Sequence, residues 1–166
     1  MIGIIQNESA VIILSDHGFC QIKSEVQINL WLEQQGLLSF GDNRKLEDYH
    51  ESTICYSLVP GRIYLNLEGR EERGSVKIGD YFNIRNSIKT KLFKFRHPDS
   101  SEPIIDKVMF REEIYHGNYI ENAPDIIAHP KNGYDLKASL DGGSIFTRSS
   151  LTGMHTYEDA IIAGVG

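Results

Sequence analysis

Two short clusters in this chain carry the residue types that would serve chemistry at a metal ion or a phosphate. "SDHGF" sets Asp16 beside His17, and "TGMHTYED" sets His155 a few residues ahead of Asp159. Aspartate and histidine are the side chains a catalytic metal uses most readily. Gly18 permits a sharp turn, so that adjacent side chains, which would point to opposite faces of a continuing strand, can both swing toward one ion. Gly153 in turn lets backbone approach closely at the second cluster. Each cluster has a plainer reading: an aspartate capping a turn at a strand end, and a histidine in a structural or surface role.

Two further groups invite the same reading and support it less. "DIIAH" places Asp125 and His129 four apart, but Pro124 and Pro130 flank the stretch and make it a short strand with Asp125 at its start. Extended residues four apart are separated by roughly 13 Å, too far to share an ion. Glu112 and Glu113, near His116, are adjacent on a strand and so point to opposite faces, mostly toward solvent. The chain contains no phosphate-binding P-loop, dinucleotide fingerprint, Cys-rich zinc pattern or Gly-x-Ser-x-Gly elbow.

The elements that must position the two clusters are legible around them. "VIIL", four consecutive branched apolar residues at Val11 to Leu14, reads as a strand buried on both faces, the kind that dominates parallel sheets in α/β folds. The Asp16-His17 pair then lies where that strand stops, the end at which open parallel sheets bind ligands. "SEVQINLWLEQQGLL" has Ser24 and Gln27 in capping-box spacing and Gly36 as a stop, which predicts a short helix. "FGDNRKLEDY" is a polar loop. "STICYSLVPGRIYLNLEGREERG" predicts two strands joined at Pro60-Gly61. From Asp80 as a cap, Tyr81, Ile84, Ile88, Leu92 and Phe95 recur at helical spacing until His97-Pro98 ends the run. "PIIDKVMFREEIY", "DIIAHP" and "DAIIAGVG" read as strands, with "HPKNGYDLKASLDGG" a turn-rich excursion between them. The first and last strands, if they share one sheet, bring His155 to Asp16 and His17.

The bulk composition bounds the partners. With 166 residues and 40% hydrophobic content, the chain is long enough for one domain with a real core. A formal net charge of -6 excludes a broad nucleic-acid-binding surface as the first expectation, and Lys89, Lys91, Lys94 and Arg96 read as a solvated face complementing a helix dipole. Two cysteines are too few for a secreted disulfide framework, and without a signal peptide or long apolar span the expected address is cytoplasmic.

Taken in order, "VIILSDHGF" with "INLWLEQQGLL", "GRIYLNLEGREERG", "KVMFREEIYHGNYIENAPDIIAHPKNGY" and "GMHTYEDAIIAG" resemble the alkaline phosphatase superfamily, and within it the type I phosphodiesterase and nucleotide pyrophosphatase branch. The resemblance runs over essentially the whole chain. It implies an α/β fold in which residues of about 1–39 and 146–166 belong to a mostly parallel catalytic sheet, with an α+β cap inserted over about 40–145. It also implies a two-metal phosphoric-ester hydrolase using zinc or manganese, with Asp16 and His17 on one ion, His155 on the other, and Asp159 orienting a ligand. In the family a nucleophilic Thr or Ser, an adjacent Asp and an Asp-x-x-x-His pair precede the Ser-Asp-His-Gly motif. Here only Met1 to Leu14 precede it, and Ser9 lies at the wrong end of the strand. The resemblance is thus to the C-terminal portion of such an enzyme, expected to be inactive alone, with weak or partial metal occupancy. A strand deprived of neighbours favours self-association or pairing with a missing N-terminal half. The alternative is a non-catalytic remnant or split-gene module that binds a partner or has a structural role.

Overall fold

Only Pro60 and Gly61 separate β4 (Cys55–Val59) from β5 (Arg62–Leu65), and a connection that short can join only antiparallel strands. Gly61 adopts a left-handed φ of +69°, and a Cβ on it would strike the Ala128 carbonyl. The turn therefore needs glycine for both conformation and room. β5 pairs with β7 (Ile126–Pro130), which pairs with β6 (Ile105–Phe110), giving a four-stranded antiparallel sheet in the order β4-β5-β7-β6. In this computed structural model, residues 10–41, 44–45, 48–140, 143–148 and 150–165 are described. Ser9 falls outside them, as do parts of the polar loop after Phe40 and of the excursion before Ile145.

The long helix α2 (Tyr81–Lys94) forms where its periodicity predicts and buries Tyr81, Arg85, Ile88 and Leu92, one stripe against the sheet. Asp80 occupies the N-cap position without a side-chain capping bond, because a single 3-10 turn over Ile78–Asp80 leads the chain in. The glutamates differ from expectation. Glu112 and Glu113 lie in a 3-10 turn just after β6, where Glu113 accepts from the Phe110 N–H and Glu112 pairs with Arg85 at 2.9 Å.

The predicted start of the first helix is a strand instead. Ser24–Gln27 forms β3, and α1 begins only at Ile28 and runs to Gln34. Tertiary pairing outweighs the weak capping pattern: β3 is flanked on both sides, by β8 (Tyr134–Lys137) in parallel and by β9 (Phe146–Thr147) in antiparallel orientation. The Ser24 hydroxyl, no cap, donates across to Thr147 O. Gly36, at φ +68°, ends the helix as its position predicts. The excursion read as turns thus supplies β8. Asn29 of α1 clamps β4, donating to Ser57 O at 2.8 Å and accepting from Ser57 N at 2.9 Å.

The fold is mixed α/β, but the mostly parallel sheet expected is not observed. Among the described strands only β3 and β8 pair in parallel. The chain's two ends form their own antiparallel ribbon: β1 (Val11–Leu14) pairs with β11 (Ile162–Val165), and β2 (Gly18–Gln21) with β10 (Gly153–Thr156). β1 is accordingly not buried on both faces. Ile12, Ile13 and Leu14 are 68, 58 and 66% exposed, since two strands alone offer no second layer to cover them. Among the described residues no helix is long and apolar enough to cross a membrane.

One polar hub is sealed in the core. Asp125, fully buried, accepts from Leu65 N at 2.7 Å, from the Tyr81 hydroxyl at 2.7 Å, and from the Arg70 guanidinium at 3.0 and 2.7 Å. Burial and the bond to Asp125 push the Tyr81 hydroxyl above its usual range. For Arg70, burial opposes the charge, yet the hydrogen bonds and charges of Asp125 and Glu71 overcome it and raise its pKa. Asp125 lies immediately ahead of β7, which starts one residue later than the sequence reading places it, and its role there is architectural.

Candidate metal centre

The end ribbon is interrupted once, between β1 and β2 on one side and between β10 and β11 on the other, and the candidate residues lie at that interruption. Ser15 bridges it, with its N–H donating to Ile161 O at 2.9 Å and its hydroxyl accepting from Ile161 N at 3.0 Å. The register pairs Gly18 with Thr156 and Phe19 with His155, which carries His17 across to the far strand. The His17 and His155 rings stack with centroids 3.6 Å apart and planes 17° from parallel. Residues separated by 138 positions (155 − 17) therefore meet face to face.

Glycine is needed here for a reason other than the one read from the sequence. Gly18 has no left-handed φ and makes no turn. It sits inside β2, where a Cβ would collide with the Thr156 hydroxyl, the Glu158 carbonyl and Asp159. Gly153 is equally constrained, lying beneath the Phe19 ring. Both glycines let the ribbon close tightly beside the imidazoles.

Nδ1 of His17 lies 2.9 Å from Gly18 O, and because a carbonyl can only accept, this hydrogen bond is made when Nδ1 carries a proton. Nε2 lies 3.5 Å from Asp16 Oδ1, too long for a strong hydrogen bond. The separation is that of two ligands on one tetrahedral zinc, whose donors at about 2.0–2.2 Å lie roughly 3.4 Å apart. The Asp16 carboxylate is 86% exposed and His17 34% exposed, so both can be reached from solvent. Among the described residues, however, no three or more His, Cys, Asp or Glu side chains converge on one point. The donors fit a metal in kind and fall short in number.

Asp159 lies at the same interruption with a left-handed φ of +67°, against Gly18, and makes no hydrogen bond to either imidazole among the described residues. Asp125 and His129 do not act as a pair: Asp125 is held in the core hub. His129 instead stacks on Tyr157, centroids 4.2 Å apart, and ties the segment after β10 to the four-stranded sheet, with Lys107 pairing Glu158 at 2.9 Å alongside. Burial, then the positive charges of Arg62 and Lys107, lower the His129 pKa below its usual value. Nothing in the spacing of His129 and Tyr157 announces this contact. Two clefts flank it, one of about 400 Å³ bordered by His155 and one of about 410 Å³ on the lysine side.

A family model described as type I phosphodiesterase / nucleotide pyrophosphatase matches residues 3–158. No curated protein and no solved structure matches the chain.

Proposed function

We propose, because this chain belongs to the type I phosphodiesterase / nucleotide pyrophosphatase family within the alkaline phosphatase superfamily, that it contributes half of a two-metal centre for phosphoric-ester hydrolysis. Asp16 and His17 would hold one divalent ion and His155 the other, zinc or manganese by the chemistry of the donors. The observation that carries the reading is the approach of His17 Nε2 and Asp16 Oδ1 to 3.5 Å, beside the stacked His155 ring. When bound, such ions neutralise charge on the attacking and leaving oxygens of an in-line phosphoryl displacement. The chain's own residues do the positioning. The Gly18 carbonyl lies 2.9 Å from His17 Nδ1 and orients the ring, and the Thr156 hydroxyl, donating to Glu158 O at 2.7 Å, secures the turn after His155. Asp159, on that turn, would orient rather than ligate. The substrate is a small phosphoric ester, and a cytoplasmic location is part of the same reading.

The remaining donors and the nucleophile would come from a further polypeptide segment, of this protein or of a partner, that docks on β1 and β11, where Ile12, Ile13, Leu14 and Ile162 are exposed. The same exposure, together with the short donor count, supports a second reading as a non-catalytic module that pairs with a partner or with itself. Titration of the intact chain with Zn²⁺, followed through the imidazole proton resonances, tests the first reading. Joint perturbation of His17 and His155 is expected, with weak affinity, and it should disappear in His155→Ala. Resonances that stay unmoved at millimolar Zn²⁺ would leave the partner-binding reading alone standing.

A further inference from the structure

The cleft beside His155 has a chemistry of its own. Besides His155, its walls are formed chiefly by Pro60, Pro130, Leu136, Leu151, Met154 and Tyr157. The carboxylate among its lining residues, Asp135, is already paired with Lys137 at 2.6 Å, a lysine it shares with Glu25 at 3.8 Å. At about 400 Å³ the space greatly exceeds a phosphate group and lies within the range of pockets that take small organic molecules. Two prolines and a tyrosine stacked on His129 give walls with little freedom to lose on binding.

The cleft on the other side of the Tyr157–His129 stack makes the contrast. It contains Lys23, Lys107 and Lys131 among Glu102, Asp106 and Glu158, and two of these pairs are closed, Lys23 to Glu102 at 3.0 Å and Lys107 to Glu158 at 2.9 Å. A charged group entering there must compete with contacts already made. An apolar group entering beside His155 meets no such competition.

We infer that the cleft bordered by His155 binds the organic substituent of the substrate ester, and that this substituent is apolar and flat, an aryl or comparable hydrophobic group. The inference rests on the hydrolase reading, which puts the phosphoryl group at His17 and His155; the ester substituent then extends from His155 along Met154 and Tyr157 into the cleft. The class selected is a hydrophobic phosphoric ester rather than a sugar or other strongly polar phosphate.

Phenylphosphonate and methylphosphonate, which share one headgroup and differ in the substituent alone, are the probes. Each is titrated into the intact chain with Zn²⁺ present and followed through the methyl resonances of Met154 and Leu136. Phenylphosphonate should bind about tenfold or more tightly than methylphosphonate, as burial of an aromatic ring predicts. Its additional shifts should fall on those two methyls. Leu151→Ser and Tyr157→Ser should each bring the affinity ratio toward one. Equal affinities, or phenyl-dependent shifts confined to the lysine-lined cleft, would overturn the inference. Should Zn²⁺ leave both histidines unmoved, the hydrolase reading fails separately, while phenyl-specific shifts at Met154 and Leu136 would still assign the cleft its ligand class.

Discussion

The body of the molecule and the ribbon made from its two ends handle charge in opposite ways. In the body, Asp125 is sealed from water and every lone pair it offers is directed at Leu65 N, Tyr81 or Arg70. At the ribbon, Asp16 is exposed, and its Oδ1 lies 3.5 Å from His17 Nε2 with no shorter hydrogen bond between them. A carboxylate with every partner in place makes architecture, whereas an exposed one beside an imidazole is open to a ligand from solvent. The ribbon is also the thinner structure, two strands with apolar side chains in water, while the body packs helices on a four-stranded sheet. The residues with available chemistry thus lie where the fold is least self-sufficient.

The comparison breaks if the hub is not what stabilises the body. Asp125→Ala removes the counter-charge of half-buried Arg70 and buried Arg111 and strips the Leu65 N–H and Tyr81 hydroxyl of their acceptor. Losing one partner of a buried ion pair costs about 3–5 kcal/mol, so thermal unfolding should drop by roughly 10 °C. A change of only a degree or two would mean that the hub is no more than a surface-like contact. Gly18→Ala asks the matching question of the ribbon. Its methyl group has no room against Thr156 and Glu158, and overpacking of this kind costs about 1–3 kcal/mol. The cost should appear locally, as lost hydrogen-exchange protection at Phe19 and Cys20 while α2 stays protected; equal losses in both regions would show that ribbon and body unfold as one unit. His155→Ala should separate chemistry from stability. Unfolding should shift by no more than about 0.5 kcal/mol, because the side chain is exposed, while Zn²⁺ affinity should fall about tenfold or more.

How much of this was readable beforehand differs between the same two regions. The hairpin at Pro60-Gly61 and the helix from Tyr81 follow from local rules, a two-residue turn and a 3.6-residue period, and both appear in the structure. The meeting of the chain ends was legible only as a possibility, since "VIIL" and "IIAGV" announce strands but not which strand pairs with which. The same apolar run misled about burial: composition reports that Ile12 to Leu14 favour a cover, and it cannot report whether one is present. "SEVQ" misled because β8 and β9 reach it from more than a hundred positions away. Asp16, His17 and His155 were identifiable by type, while the His129–Tyr157 stack beside them carries no signature in spacing.

That stack supplies the smallest effect and the finest test of how the two regions join. Burial and the charges of Arg62 and Lys107 favour neutral His129 in the folded protein; Asp106 and Glu158 pull the other way and are outweighed. Its pKa is therefore lower folded than unfolded. As pH falls through about 6.5, the ordinary histidine value, the unfolded chain takes up the proton first and stability declines. The decline continues until the native ring also protonates, at lower pH. His129→Gln should flatten that part of the profile, so the gap in unfolding temperature between the two proteins should narrow on going from pH 7.5 to pH 5 if the variant starts less stable. The opposing possibility is physical: a protonated ring on the face of Tyr157 gains cation–π attraction. If that gain exceeded the cost of burying the charge, the gap would widen instead, and the joint between ribbon and body would tighten in acid.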